Sequence, residues 1–64
     1  MFKDAPDLLT RKQVQDLLQV SKNTILEFIN KGNLPAFMLA GSYRIYKKDL
    51  IEFVMSSYHY DKIF

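Results

Sequence analysis

A chain of 64 residues with a net charge of +2, 48% hydrophobic content and no cysteine has room for one small domain, and it excludes disulfide staples, thiolate metal sites and a second core. No apolar run approaches the roughly 20 residues needed to cross a bilayer, and the opening MFKDAPD lacks the charged, apolar and small-residue succession of a secretion signal, so the expected location is the cytoplasm. Charge is uneven: residues 11–48 hold seven basic side chains against Asp16 and Glu27, a net +5, while the flanks hold a net −3, the distribution expected of a chain that meets a polyanion.

In chain order, Thr10 precedes an apolar pattern at Val14, Leu17 and Leu18, and Gln13 stands three residues after it, which makes a capping box. Leu9 and Val14 occupy the positions of a hydrophobic staple around the same cap, so a first helix is expected over 11–19. The grammar then repeats. Ser21 caps, Val20 and Ile25 staple, and Ile25, Phe28 and Ile29 form the buried stripe of a second helix over 22–31. Only residues 19–21 separate the two, which forces a sharp corner and gives a helix-turn-helix. Gly32 suits the left-handed residue after the helix, and Pro35 forbids continuation.

From Ala36 to Tyr46 the period changes to two. A three-residue loop of Ala40, Gly41 and Ser42 would put Phe37, Leu39, Tyr43 and Ile45 on one face of a hairpin and leave Met38 and Arg44 on the other; this register is the one expected. A third helix starts near Lys47, with Asp49 in the first turn, where the helix dipole favours a carboxylate, and with Leu50, Phe53 and Val54 as its stripe. Residues 58–64 show no clean period. The expected architecture is a single domain over 1–64, mainly α with a small β-hairpin, with its core at about 8–54 and a C-terminal extension over 55–64.

With Ile25 at the centre of the buried side, a turn of about 100° per residue places Asn23, Glu27 and Asn30 nearly opposite, flanked by Thr24, Leu26 and Lys31. Asn amides bond an adenine edge in two places, a Glu accepts from the cytosine amino group, and a Leu meets a thymine methyl. Lys22, Asn23 and Thr24 at the helix N-terminus are placed to hold a phosphate. Arg44, beside the glycine-containing loop, has two readings: contact with a phosphate or minor groove, or packing of its stem on Met38 or Tyr46.

The segments LLTRKQVQDLL, VSKNTILEFINKGNLPAF and GSYRIYKKDLIEFV, spanning residues 8–54, resemble the small winged helix-turn-helix domains of excisionases and related MerR-type regulators. The resemblance implies that helix 22–31 enters the major groove of double-stranded DNA and that the hairpin tip, residues 40–44, acts as a wing on the backbone or minor groove. Carried over by position, the implied contacts are Lys22, Asn23, Thr24, Glu27 and Lys31 in the helix region and Ser42, Tyr43, Arg44 and Lys47 in the wing region; with Asn30 from the outward face these make ten candidate residues. Members of the family often carry Lys or Arg where this chain has Glu27, Met38 and Ser42, which implies a weaker phosphate grip. The implied role is that of an excisionase-like recombination directionality factor, or of a small transcriptional regulator of a bacterial mobile element or phage. Its implied partners are a recombinase (integrase) and adjacent copies of itself on DNA, and the short chain favours the stand-alone form. The tail 58–64, with Ile63 and Phe64 at its end, has two readings: contact with a neighbouring copy or a recombinase, or a segment that frays or covers the core.

An enzyme is not expected. His59 is the only histidine, no G-x-S-x-G elbow or phosphate-cradling glycine loop is present, and no metal-ligand spacing occurs, so neither cofactor nor small-molecule substrate is expected. Asp4 with Asp7, and Asp49 with Glu52, read as solvated carboxylates. The rival to DNA binding is a protein-interaction adaptor that keeps the helix-turn-helix shape, and Glu27 in the middle of the presented face favours it.

Overall fold

The computed structural model describes the backbone of residues 1–63 and the side chains of residues 1–57. Strand β1 (Leu8–Thr10) runs directly into helix α1 (Arg11–Leu18), followed by α2 (Lys22–Asn30), β2 (Phe37–Leu39), β3 (Ser42–Tyr46) and α3 (Lys47–Ile63). Both expected N-caps are present. Thr10 Oγ1 accepts from the Gln13 amide at 3.1 Å while Gln13 Oε1 accepts from the Thr10 amide at 2.9 Å, closing the capping box. Ser21 Oγ accepts from the Thr24 amide at 3.2 Å and lies 2.9 Å from the Thr24 hydroxyl.

The corner between α1 and α2 is made by Gln19, which takes a left-handed conformation (φ 55°, ψ 47°) instead of extending the helix as expected. Its amide and that of Val20 both close on the Gln15 carbonyl, satisfying the end of α1 within two residues. Helix α2 ends in a Schellman motif: Gly32, at φ 78°, donates to the Ile29 carbonyl and Asn33 to the Phe28 carbonyl, each at 3.0 Å. Lys31 is the cap residue rather than a helical one.

Two features of the sheet differ from expectation. The sheet has three strands in the order β1-β3-β2, both pairs antiparallel, because Leu8–Thr10 joins the hairpin as well as stapling α1. The hairpin loop has two residues, not three. Leu39 pairs with Ser42, leaving Ala40 (φ 52°) and Gly41 (φ 83°) as the turn. Positive φ at both central positions is the signature of a type I′ turn, whose twist matches that of the strands. The shorter loop shifts the register, so Phe37, Leu39, Ser42, Arg44 and Tyr46 share the outer face while Tyr43 and Ile45 face the core. Phe37 and Leu39 therefore stay 38% and 47% exposed.

Six aliphatic side chains are fully buried: Leu9, Val14, Ile25, Leu34, Ile45 and Leu50. They come from β1, α1, α2, the turn after α2, β3 and α3, so each element save β2 contributes one. Phe28, Ile29, Val20, Tyr43, Phe53 and Val54 pack around them. The backbone of α3 stays helical through Ile63, beyond the point where the apolar pattern fades. The side chains of 58–64, with the contacts expected of Ile63 and Phe64, lie outside the described residues.

Candidate nucleic-acid interface

Because Ile25 is buried and Phe28 and Ile29 lean on the core, the opposite side of α2 is turned outward. Lys22, Asn23, Glu27, Asn30 and Lys31 are all exposed there. Thr24 is half-buried, since its hydroxyl and amide are both engaged with the Ser21 cap. The row is therefore fixed at its N-terminal end by the capping network and at its C-terminal end by the Gly32 turn. Leu26 flanks it, half-buried.

Within the row, Lys31 Nζ donates to Glu27 Oε1 at 2.9 Å across one turn. This pair partly cancels the charge in the middle of the face, and Glu27 is not an isolated carboxylate. Asn23 and Asn30 have no side-chain hydrogen bond among the described residues, so their amides are open to an external partner.

At the hairpin, Ser42 is exposed at the start of β3. Arg44 folds back along its own strand, its guanidinium donating to the Ser42 hydroxyl and, at 3.3 Å, to the Tyr43 carbonyl. In this geometry the guanidinium is parked beside the turn, with Phe37 as the cross-strand partner of Arg44.

Tyr43 and Lys47 are turned to the interior and to the N-terminal segment. Tyr43 packs its side chain against the core, on the same face of β3 as the buried Ile45. The Lys47 amide donates to the Asp7 carbonyl at 2.8 Å, and its ammonium donates to the Ala5 carbonyl at 3.1 Å and lies 3.7 Å from Asp7 Oδ1. Lys47 thus ties the N-terminal segment to the head of α3. The sequence reading missed the outer face of the sheet, where the exposed Tyr46 ring stacks on Phe37 at 5.6 Å between centroids and Lys48 Nζ lies 5.9 Å from the Tyr46 centroid. The Ala-Gly pair at the tip is the signal from which this face follows, since it admits the tighter turn.

Among the described residues, no helix is long and apolar enough to cross a membrane. Two proteins of Mycobacterium tuberculosis are similar to this chain: "Putative DNA-binding protein MT0521" from strain CDC 1551 / Oshkosh and "Putative DNA-binding protein Rv0500A" from strain H37Rv. Each is 35% identical over 51 residues, covering 80% of this chain and 65% of the relative, so the chain spans a little under two thirds of their length. No solved structure matches the chain. The profile of the family described as "Helix-turn-helix domain" matches residues 8–57, which runs from the first residue of β1 well into α3. The chain belongs to this helix-turn-helix domain family.

Proposed function

We propose that the domain binds double-stranded DNA, with α2 in the major groove and the Ala40–Gly41 tip on the backbone or minor groove. The observation that carries this reading is the outward row of Asn23, Glu27 and Asn30 on a helix capped at both ends, with Lys22 and Lys31 at its margins. A rigid row of amides and a carboxylate suits base edges, and flanking cations suit phosphates. The family and the printed names of the two mycobacterial relatives support the same reading.

At a finer level, we propose an excisionase-like directionality factor or a small regulator of a mobile element, working with a recombinase or with adjacent copies on DNA. The test is selection of duplexes from a random pool, followed by gel shifts at two salt concentrations. A selected site that is bound more weakly as salt rises supports the reading, and binding indifferent to both sequence and salt overturns it. The Glu27–Lys31 pair favours a second reading, a protein adaptor. Under that reading Asn23→Ala and Arg44→Ala leave partner binding intact, whereas DNA binding loses affinity in both.

A further inference from the structure

The groove between the end of α2 and α3 has no part in the interface described above. It has a volume of about 820 Å³, and its lining includes Phe28, Asn33, Asp49, Glu52, Phe53 and Ser56. None of the ten candidate DNA contacts lines it. Asp49, Glu52, Phe53 and Ser56 stand at i, i+3, i+4 and i+7 along α3, so they form one continuous helix face. Phe28 and Phe53 pack with centroids 5.0 Å apart at 53°, both half-buried, each with one side on the core and the rest in the groove.

Charge selects the occupant. Among the described residues the lining holds two carboxylates and no cation, and neither carboxylate is in an ion pair. Such a wall repels nucleic acid and attracts a cation. A metal ion is a poor fit, because no group of three potential ligands occurs among the described residues. The aromatic floor asks for more than charge. Rings beside carboxylates take the aliphatic stem of a Lys or Arg along their surface and its charged head at the rim, and the volume suits a few side chains.

We propose that this groove docks a segment of a partner protein that combines Lys or Arg with aliphatic or aromatic side chains. The probe is a fluorescein-labelled hexapeptide, Lys-Leu-Arg-Phe-Lys-Leu, read by anisotropy and by amide shift mapping on the full chain. The comparators are Glu-Leu-Glu-Phe-Glu-Leu and Lys-Gly-Arg-Gly-Lys-Gly. The basic amphipathic peptide should bind about tenfold more tightly than either comparator, with shifts centred on Asn33, Asp49, Glu52 and Ser56. Glu52→Gln and Ser56→Arg, both exposed positions clear of the head of α3, should each weaken it by about fivefold or more without moving the melting temperature. The proposal is overturned by equal binding of the acidic comparator, by unchanged affinity in Ser56→Arg, by shifts on Asn23, Glu27 and Asn30 instead, or by no binding at millimolar peptide. A chain that takes the peptide but ignores DNA leaves this proposal standing and removes the preceding one.

Discussion

Glu27 and Lys31 form an ion pair on the outward face of α2, and both side chains are more than half exposed. An exposed pair at this spacing adds little to stability, so its consequence is electrostatic. The carboxylate holds the ammonium close and weakens the positive charge offered to a phosphate. Replacing Glu27 with Ala is expected to leave the melting temperature within a degree or two, as for most surface changes. It should tighten binding to every duplex by about threefold to tenfold, as removal of a like-charge repulsion does. Competition gel shifts on selected and scrambled duplexes check this; relaxation at one base pair with no general gain would assign Glu27 to a base instead. Lys47 behaves in the opposite manner. Its ammonium is committed to Ala5 and Asp7, so Lys47→Met should keep DNA affinity and its salt dependence within about twofold. Hydrogen exchange should report the change, through faster exchange of the Ala5 amide, which now bonds to the Phe2 carbonyl.

Among elements, the hairpin is the one whose local chemistry is least settled. Ala40 sits at φ 52° without the advantages of Gly or Asn, and Asn-Gly is the preferred pair for a type I′ turn. Ala40→Asn is therefore expected to stabilise the domain by about 0.5–1 kcal/mol, read as a higher urea midpoint with unchanged slope. The same element shows where sequence reading stops. The caps at Thr10 and Ser21 and the stop at Gly32 are legible because each depends on residues within four or five positions, and local chemistry decides them. The outward row of α2 is legible for a related reason: the stripe at Ile25, Phe28 and Ile29 leaves its opposite face no choice. The hairpin register is not, because burying Phe37 and Leu39 together with Ile45 and shortening the turn are competing preferences, and the turn wins. Strand β1 is hidden too, since three residues carry no period and the pairing of Leu9 with Ile45 is set by the tertiary fold. For the same reason Lys47 looks like a free cation in the sequence, although its partners lie some forty residues earlier.

For the molecule as a whole, the core is one side chain deep, with six aliphatics each supplied by a different part of the chain. A domain of this length is stable by about 3–10 kcal/mol, and truncating one buried Leu to Ala costs about 2–5 kcal/mol. Leu34→Ala is therefore expected to leave a large unfolded fraction at 37 °C, visible as a lowered and broadened transition in circular dichroism. The charge map sets a second molecular property. With Lys47 tied internally, Lys22, Lys31 and Arg44 are the cations of the proposed interface, which gives a slope of log K against log salt of about −2.7. Affinity should then fall roughly 40-fold between about 50 and 200 mM salt, and a slope near zero in a filter-binding titration would count against phosphate contact.

Strand β1 gives the architecture one more property. Leu8–Thr10 reaches its partners Arg44–Tyr46 across 34 to 38 positions of chain, so the helix pair loses Ile45 and its bracing sheet if the chain stops before β3. A synthetic peptide carrying only the first 35 residues should remain a coil in water. Helix α2 cannot be grafted elsewhere as an isolated cassette, and during translation it can assume its shape only after Tyr46 has cleared the ribosome.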